Sequence, residues 1–283
     1  MKAYLELTKP RVTWLILMSA AVGFFLGSAG ALDWIRLLHT LAGTALVASG
    51  AAALNQWMER EVDARMRRTQ DRPLPAGRLE PARAFWFGLG LSVAGVTYLT
   101  GMVSPAAGGL AGLTCLSYLL CYTPLKLRST LCTLVGAFPG AMPILIGFLA
   151  ARGRMEIEGL VLFGILFLWQ FPHFHAIATL YREDYRRAGI VMLPVVDQTG
   201  AATARQIVGA TAALLVVSAI PGLLGRSSPA YLAAAAALGL SFLYFGLRLA
   251  AGRQKMQARR LLQASVFYLP LVYGLLVLNK AAW

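Results

Sequence analysis

Charged side chains are scarce in this sequence, and acidic ones are especially few. Only 13% of the 283 residues are charged, with 12 acidic and 26 basic side chains, whereas soluble chains average about a quarter charged residues. The shortage is uneven, because residues 12–31, 84–123 and 160–171 contain no charged side chain. So many apolar blocks cannot all hide in one core of this size, which excludes a soluble fold.

Long apolar runs fill most of the chain instead. About 20 consecutive apolar residues span the hydrocarbon core of a bilayer as a helix. Nine runs of this kind are present, at residues 12–31, 35–55, 84–103, 105–123, 131–151, 159–179, 206–225, 229–249 and 261–279. The sequence therefore predicts an all-α integral membrane protein, a bundle of about nine transmembrane helices in a single domain over residues 1–283.

The net charge of +14 would suit a nucleic-acid-binding protein, but its distribution along the chain favours a membrane topology. With a cytoplasmic N-terminus, 21 of the 26 basic residues fall on the cytoplasmic side of the nine predicted helices. Such a bias sets the orientation of membrane proteins during insertion. We expect a multi-pass protein of the cytoplasmic (inner) membrane with its C-terminus outside. Its basic surface would meet anionic lipid and no nucleic acid.

Cysteine is rare, with three residues in or beside apolar runs. Their spacing suggests neither a disulfide framework nor a zinc site. The first apolar run follows three basic residues, as in a signal peptide, but its length of about twenty residues favours an uncleaved membrane helix.

The few acidic residues cluster where the second predicted helix ends. Asn55, Glu59 and Asp63 are four residues apart, so on a helix they lie along one face. Their oxygen atoms are ligands that suit Mg²⁺. Arginines, whose planar groups bind phosphate, follow at Arg68, Arg72 and Arg78. The pattern indicates a magnesium–diphosphate site, with a merely solvated helix end as the alternative.

This segment resembles the first motif of the UbiA-type intramembrane prenyltransferases, and most closely that of their haem O synthase branch. The likeness extends over essentially the whole chain and is most specific between Asn55 and Arg78. It implies a UbiA-type fold in which Asn55, Glu59 and Asp63 hold Mg²⁺ and the arginines bind the prenyl diphosphate. Glu59 stands where many members have Asp, and a water-rich Mg²⁺ shell can absorb the longer side chain.

A second stretch, Tyr122-Thr-Pro-Leu-Lys126, is similar to the YxxxK element of the family. This likeness implies that Lys126 contacts the diphosphate and that Tyr122 lies beside the reacting allylic carbon. The helix that follows also resembles the family, except that Cys132 stands where Asn is common.

Three further stretches, at residues 169–174, 181–185 and 192–195, together resemble the second motif of haem O synthases. The likeness implies that Arg182 binds the diphosphate and that Glu183 and Asp184 are metal ligands. Many other UbiA-type enzymes have a further acid where this chain has Ala188, so a complete second carboxylate ladder is not expected.

The chain contains three histidines, of which His173 is the candidate haem ligand. Its surroundings, Trp-Gln-Phe-Pro-His-Phe at 169–174, resemble haem O synthases, and His is a common ligand of haem iron. His175 is less favoured, because two residues of helix turn it by about 200° from His173. His39 is expected to pack or to bond a neighbouring helix.

The resemblance implies an Mg²⁺-dependent enzyme that transfers the farnesyl group of farnesyl diphosphate to a vinyl group of haem b. The product would be haem O, which serves haem–copper oxidase biogenesis and implies oxidase assembly proteins as further partners. Other UbiA-type prenylations, a secondary transporter with acidic ion sites and a non-catalytic haem carrier are the alternatives. Both acidic motifs fall on one side of the membrane, which disfavours the transporter.

The charge distribution makes a testable prediction about topology. Reporter fusions after Ala31, Val103 and Gly225 should report the outer side of the membrane, and fusions after Arg78 and Arg187 should report the cytoplasm. A cytoplasmic signal at Val103 would contradict the nine-helix arrangement.

Overall fold

The computed structural model describes residues 1–252 and 254–280, and its regular elements in these ranges are helices. In chain order they are α1 (Lys2–Leu7), α2 (Pro10–Gly27), α3 (Trp34–Asp63), α4 (Pro81–Met102), α5 (Pro105–Leu116), a π-helical turn (Ser117–Tyr122), α6 (Thr123–Leu125), α7 (Cys132–Arg152), α8 (Ile157–Leu180), α9 (Arg182–Arg187), α10 (Leu193–Val196), α11 (Ala201–Leu223), α12 (Pro229–Gly252) and α13 (Lys255–Leu278).

Nine segments of the described chain are long and apolar enough to cross a bilayer, counting Pro105–Leu125 as one. The predicted all-α bundle of nine spans is therefore confirmed. The largest differences are that α3 continues beyond residue 55 to Asp63 and that α13 begins at Lys255, before residue 261. Both extensions are polar helix turns, which a search for apolar runs cannot detect. Arg253, which was counted as a cytoplasmic basic residue, lies outside the described residues.

The helices pack in pairs that bring distant parts of the chain together. Helix α3 lies along α4, α2 lies against α7, and α11 lies along α12. Helix α8 contacts α7, α11 and α13, so it joins the middle of the chain to its C-terminal helices. The acidic end of α3 also contacts α6 and the π-helical turn.

Glycines allow α2 and α7 to approach closely. A Cβ atom added at Gly23 would collide with the carbonyl oxygen of Ile144, and one at Gly147 would collide with that of Ala20. Membrane helices gain stability from such backbone contact, because lipid tails are as apolar as leucine and burial alone drives little association. Gly136 of α7 has a second role, since its missing side chain leaves room for the ring of Tyr122.

The α2–α7 contact predicts a stability difference between two glycines. Gly147→Ala should lower the thermal midpoint in detergent by several degrees, because overpacking costs about 1–3 kcal/mol. Gly90→Ala on α4 is the control, since a Cβ there would meet no atom within 4 Å. Fluorescence-detected gel filtration after heating measures both. Equal midpoints for the two variants would contradict the close contact.

Candidate active site

Each polar side chain on the predicted oxygen ladder of α3 faces a basic side chain. The ladder is Asn55, Glu59 and Asp63, and the helix that carries it continues to Asp63 as the spacing predicted. The three contacts are Lys9 Nζ to Asn55 Oδ1 at 3.0 Å, Lys126 Nζ to Glu59 Oε1 at 2.8 Å and Arg72 Nη1 to Asp63 Oδ2 at 2.6 Å.

These contacts are shielded from solvent. Asn55 and Asp63 are each 1% exposed, and the side chains of Glu59 and Lys126 are 13% and 18% exposed. Removing one partner of a buried ion pair is strongly destabilising, because the remaining charge has no compensation. The two carboxylates of the ladder therefore require cations beside them, which Lys126 and Arg72 supply. The neutral amide of Asn55 accepts a hydrogen bond from Lys9.

Lys9 was not predicted as a site residue, because its charge was already explained by membrane topology. It lies just before α2, and its backbone has φ 46°, a left-handed conformation unusual for a side chain other than glycine. Burial lowers the pKa of Lys9 to about 7, and the positive charges of Arg72 and Lys126 lower it further. A bound anion would favour its charged form. In the sequence, the only feature that sets Lys9 apart is its position directly before Pro10.

Arg68 connects the segment after α3 to the second predicted motif. Its guanidinium lies 5.1 Å from the ring centre of Tyr181 and 4.6 Å from that of Tyr185. Its Nη2 also donates a hydrogen bond of 2.6 Å to the Tyr185 hydroxyl. Cation–π contacts of this kind stabilise such a bridge. The prediction that Arg68 binds diphosphate remains a prediction, since the arginine contacts two tyrosines here.

Arg78 and Arg182, which were predicted to bind diphosphate, also have other partners. Arg78 makes two hydrogen bonds to Glu6, at 3.1 and 2.6 Å, and these bonds lower the pKa of that carboxyl. Arg182 donates a long hydrogen bond of 3.4 Å to the carbonyl oxygen of Val195. Arg72 is thus the predicted arginine that the structure brings directly to the ladder.

The acids of the second motif are paired within their own short helix. Asp184 forms an ion pair with Arg187, and Glu183 lies 3.7 Å from Arg186. Within residues 1–252 and 254–280, no three His, Cys, Asp or Glu side chains gather closely enough to hold a metal ion. The metal ligands predicted from the two motifs therefore do not lie together. Those of the first motif, the oxygen ladder of α3, lie along one helix face.

Tyr122 lies next to Lys126 and so close to the ladder, while its predicted place beside the allylic carbon stays a prediction. The Nζ atom of Lys126 is 4.6 Å from the centre of the Tyr122 ring. A second ring, that of Tyr118, is 5.3 Å from Tyr122. Aromatic faces attract cations, so this pair can stabilise positive charge close to the ladder.

The histidines point to different helices, as their spacing predicted. His173 Nδ1 lies 2.8 Å from Ser265 Oγ on α13, and its ring stacks on Trp169 at 4.4 Å. His175 is fully buried and bonds Gln206 on α11 at 2.7 Å. The prediction that His39 bonds a neighbouring helix is confirmed by its 2.7 Å contact with the Tyr98 hydroxyl.

The sequence that forms this site matches a known protein family. A model of the UbiA prenyltransferase family matches residues 16–271. The chain belongs to the UbiA prenyltransferase family. This match covers α3, the YxxxK element, the segment around His173 and the second motif, so the UbiA likeness seen in the residues is confirmed.

Curated UbiA relatives with high identity carry one common name. A protein of Solibacter usitatus (strain Ellin6076), named protoheme IX farnesyltransferase, is 54% identical over 99% of both chains. A protein of the same name from Koribacter versatilis (strain Ellin345) is 45% identical over 99% of this chain and 94% of its own length.

Solved structures agree with the UbiA fold. A digeranylgeranylglyceryl phosphate synthase matches with a TM-score of 0.81 at 18% identity, over 99% of this chain and 98% of that chain. A UbiA homologue from Archaeoglobus fulgidus, described as bound to DMAPP and Mg²⁺, matches with a TM-score of 0.68 at 14% identity, over 96% and 98%. The predicted UbiA-type fold is confirmed by these likenesses.

Proposed function

We propose that this chain transfers the farnesyl group of farnesyl diphosphate to a vinyl group of haem b, forming haem O for haem–copper oxidase biogenesis. The single observation that carries the proposal is the buried oxygen ladder of α3 faced by three basic side chains. The name shared by the high-identity relatives supports the choice of farnesyl and haem as substrates.

The ladder has the donor chemistry that Mg²⁺ requires. Asn55, Glu59 and Asp63 can each offer oxygen as a ligand, and one oxygen of each side chain lies within 3.0 Å of a basic group. Mg²⁺ prefers one or two carboxylates and completes its coordination with water and substrate phosphates. These three residues would hold the ion, and it would neutralise charge on the departing diphosphate.

The basic residues provide the other half of the diphosphate site. Lys9, Lys126 and Arg72 lie on the ladder and can donate hydrogen bonds to phosphate oxygens. Arg68, Arg78 and Arg182 are proposed as further diphosphate contacts, with Glu183 and Asp184 as additional metal ligands, and all five would have to leave their present partners.

Heterolysis of the carbon–oxygen bond gives diphosphate, which keeps the bonding electrons, and an allylic farnesyl cation. The cationic side chains stabilise the leaving group as its negative charge grows. The faces of Tyr122 and Tyr118 stabilise the cation. The haem vinyl group then attacks the farnesyl carbon, and the cation left on the haem side chain takes up water and loses a proton.

Haem binding by His173 is supported by its hydrogen bonding. The hydroxyl of Ser265 donates its proton to the carbonyl oxygen of Leu262 at 2.6 Å. Its oxygen therefore accepts from Nδ1–H of His173. This fixes the neutral tautomer with the lone pair on Nε2, which is the form that ligates iron. His175 is the less favoured ligand because it is fully buried.

The whole chain is proposed to act as one prenyltransferase domain in the cytoplasmic membrane. The basic residues favour a cytoplasmic N-terminus and an outer C-terminus. The loops at the end of α3 would then lie at the cytoplasmic face, beside the bilayer that holds both hydrophobic substrates. Oxidase assembly proteins are proposed as further partners.

Loss of a ladder carboxylate should stop the reaction. Membranes containing the wild type, supplied with haem b, Mg²⁺ and farnesyl diphosphate, should convert haem b to haem O, measured as pigment mass after chromatography. Asp63→Ala should lower turnover at least about a hundredfold, a loss comparable to removing a key electrostatic group in other enzymes. Asp184→Ala should do the same, because Asp184 is proposed as a metal ligand of the same site.

Asp71→Ala is the matched control, because Asp71 is exposed and lies in the loop that follows α3. It should leave turnover within about twofold, as for surface substitutions. Asp63→Asn keeps the size of the side chain and guards against misfolding. Activity of Asp63→Ala within a few fold of wild type would show that the ladder is structural, and an inactive wild type would refute the proposed reaction.

The haem half of the site should be separable from the diphosphate half. His173→Ala should lower the haem content of the purified protein and reduce turnover, while diphosphate binding measured by calorimetry stays within about twofold, as expected for sites that do not share contacts. His175→Ala is the comparison and should retain more haem. Equal haem content in wild type and His173→Ala would remove the ligand role, and a dominant effect of His175→Ala would transfer it.

A further inference from the structure

Asn55 differs from the other two ladder residues because its side chain has only one oxygen. Either oxygen of Glu59 or Asp63 can face a cation, but an amide rotated by 180° would present its NH₂ group to a metal ion and repel it. Asn55 is 1% exposed, so no bulk water compensates for a wrong orientation. A neighbour must therefore select the rotation.

Hydrogen bonds at both the oxygen and the nitrogen of the Asn55 amide select its rotation. The protonated amine of Lys9 can only donate, so it faces Oδ1, at 3.0 Å. The NH₂ group points to Thr123 Oγ1 at 3.2 Å. The hydroxyl of Thr123 donates its own proton to the carbonyl oxygen of Tyr118 at 2.9 Å. Since a hydroxyl has a single proton, Thr123 can only accept from Asn55.

The π-helical turn makes the Tyr118 carbonyl available to Thr123. The backbone N–H of Thr123 bonds the Tyr118 carbonyl five residues before it, and the Thr123 hydroxyl bonds the same oxygen. Single π-helical turns of this kind often occur at functional sites.

We propose that Thr123 is a positioning residue that holds the Asn55 amide with its oxygen toward the metal–diphosphate site. The residue acts through Asn55 and does not contact the substrate. This inference rests on the proposed function, since it presumes that a divalent cation binds at the ladder. Groups that orient metal ligands usually change metal affinity about tenfold to a hundredfold when removed.

The test measures divalent-cation binding rather than turnover. Mn²⁺ is added to detergent-solubilised protein with inorganic diphosphate, and bound Mn²⁺ is counted by electron paramagnetic resonance. Thr123→Val, which keeps the shape but loses the hydroxyl, should weaken Mn²⁺ binding at least about tenfold. Thr123→Ser, which keeps the hydroxyl, should stay within about threefold of wild type, well below the loss expected of Thr123→Val.

Thr44→Val provides the matched control for the loss of a buried hydroxyl on α3. Thr44 is 3% exposed, and its hydroxyl has no hydrogen-bond partner in the described part of the chain. This variant should bind Mn²⁺ like the wild type. Thermal midpoints of all variants are compared, so that a folding defect is recognised.

Testing Thr123→Val in an Asn55→Asp variant separates the orientation of residue 55 from the packing of residue 123. The same comparison can be used if Thr123→Val folds poorly in the wild-type background. In Asn55→Asp, either oxygen can face the cation, so the rotation no longer matters. Adding Thr123→Val to Asn55→Asp should then change Mn²⁺ affinity by less than about twofold. The difference between this small effect and the loss in the wild-type background measures the coupling of the two residues. An equal loss in both backgrounds would overturn the positioning role.

The outcomes distinguish this inference from the proposed function. Wild type that binds Mn²⁺ only with diphosphate, together with a Thr123→Val variant of equal affinity, overturns the role of Thr123 and leaves the proposed function intact. Wild type that binds no Mn²⁺ in the presence of diphosphate overturns both.

Discussion

Charge compensation at the buried end of α3 is the constraint on which the site depends. Two carboxylates and an amide on one helical face cannot be left without cations in a region of low dielectric constant. The chain supplies one cation from the residue before α2, one from the loop after α3 and one from the end of α6. These three segments are far apart in sequence, and two ion pairs and one hydrogen bond hold them at α3.

Close helix packing gives this charged site a firm frame. Gly23 and Gly147 bring α2 against α7 at backbone contact, which fixes the position from which Lys9 reaches Asn55. Gly136 makes space for Tyr122, so the ring can lie beside Lys126. Small residues in apolar helices therefore determine where the polar groups meet.

The sequence predicts the nine spans and the ladder because each has a local signature in the chain. Apolar runs mark the spans, and the spacing of four marks one face of α3. Lys9, Thr123 and Ser265 were not predicted to act at the site, since hydroxyls in helices usually bond their own backbone and a lysine before a first span usually reports topology. Arg68 was predicted for phosphate, but its contacts with Tyr181 and Tyr185 depend on tertiary structure that spacing does not encode.

The length of α3 affects how a substrate with a hydrophobic tail reaches the site. Its 30 residues extend about 45 Å, while the hydrocarbon core of a bilayer is about 30 Å thick. With its first residues at the opposite surface of the core, α3 would carry the ladder on its last turns to the depth of the lipid headgroups. A prenyl diphosphate anchored by its tail already carries its phosphates at this depth. It can arrive by lateral diffusion within the leaflet, and its tail need never cross water.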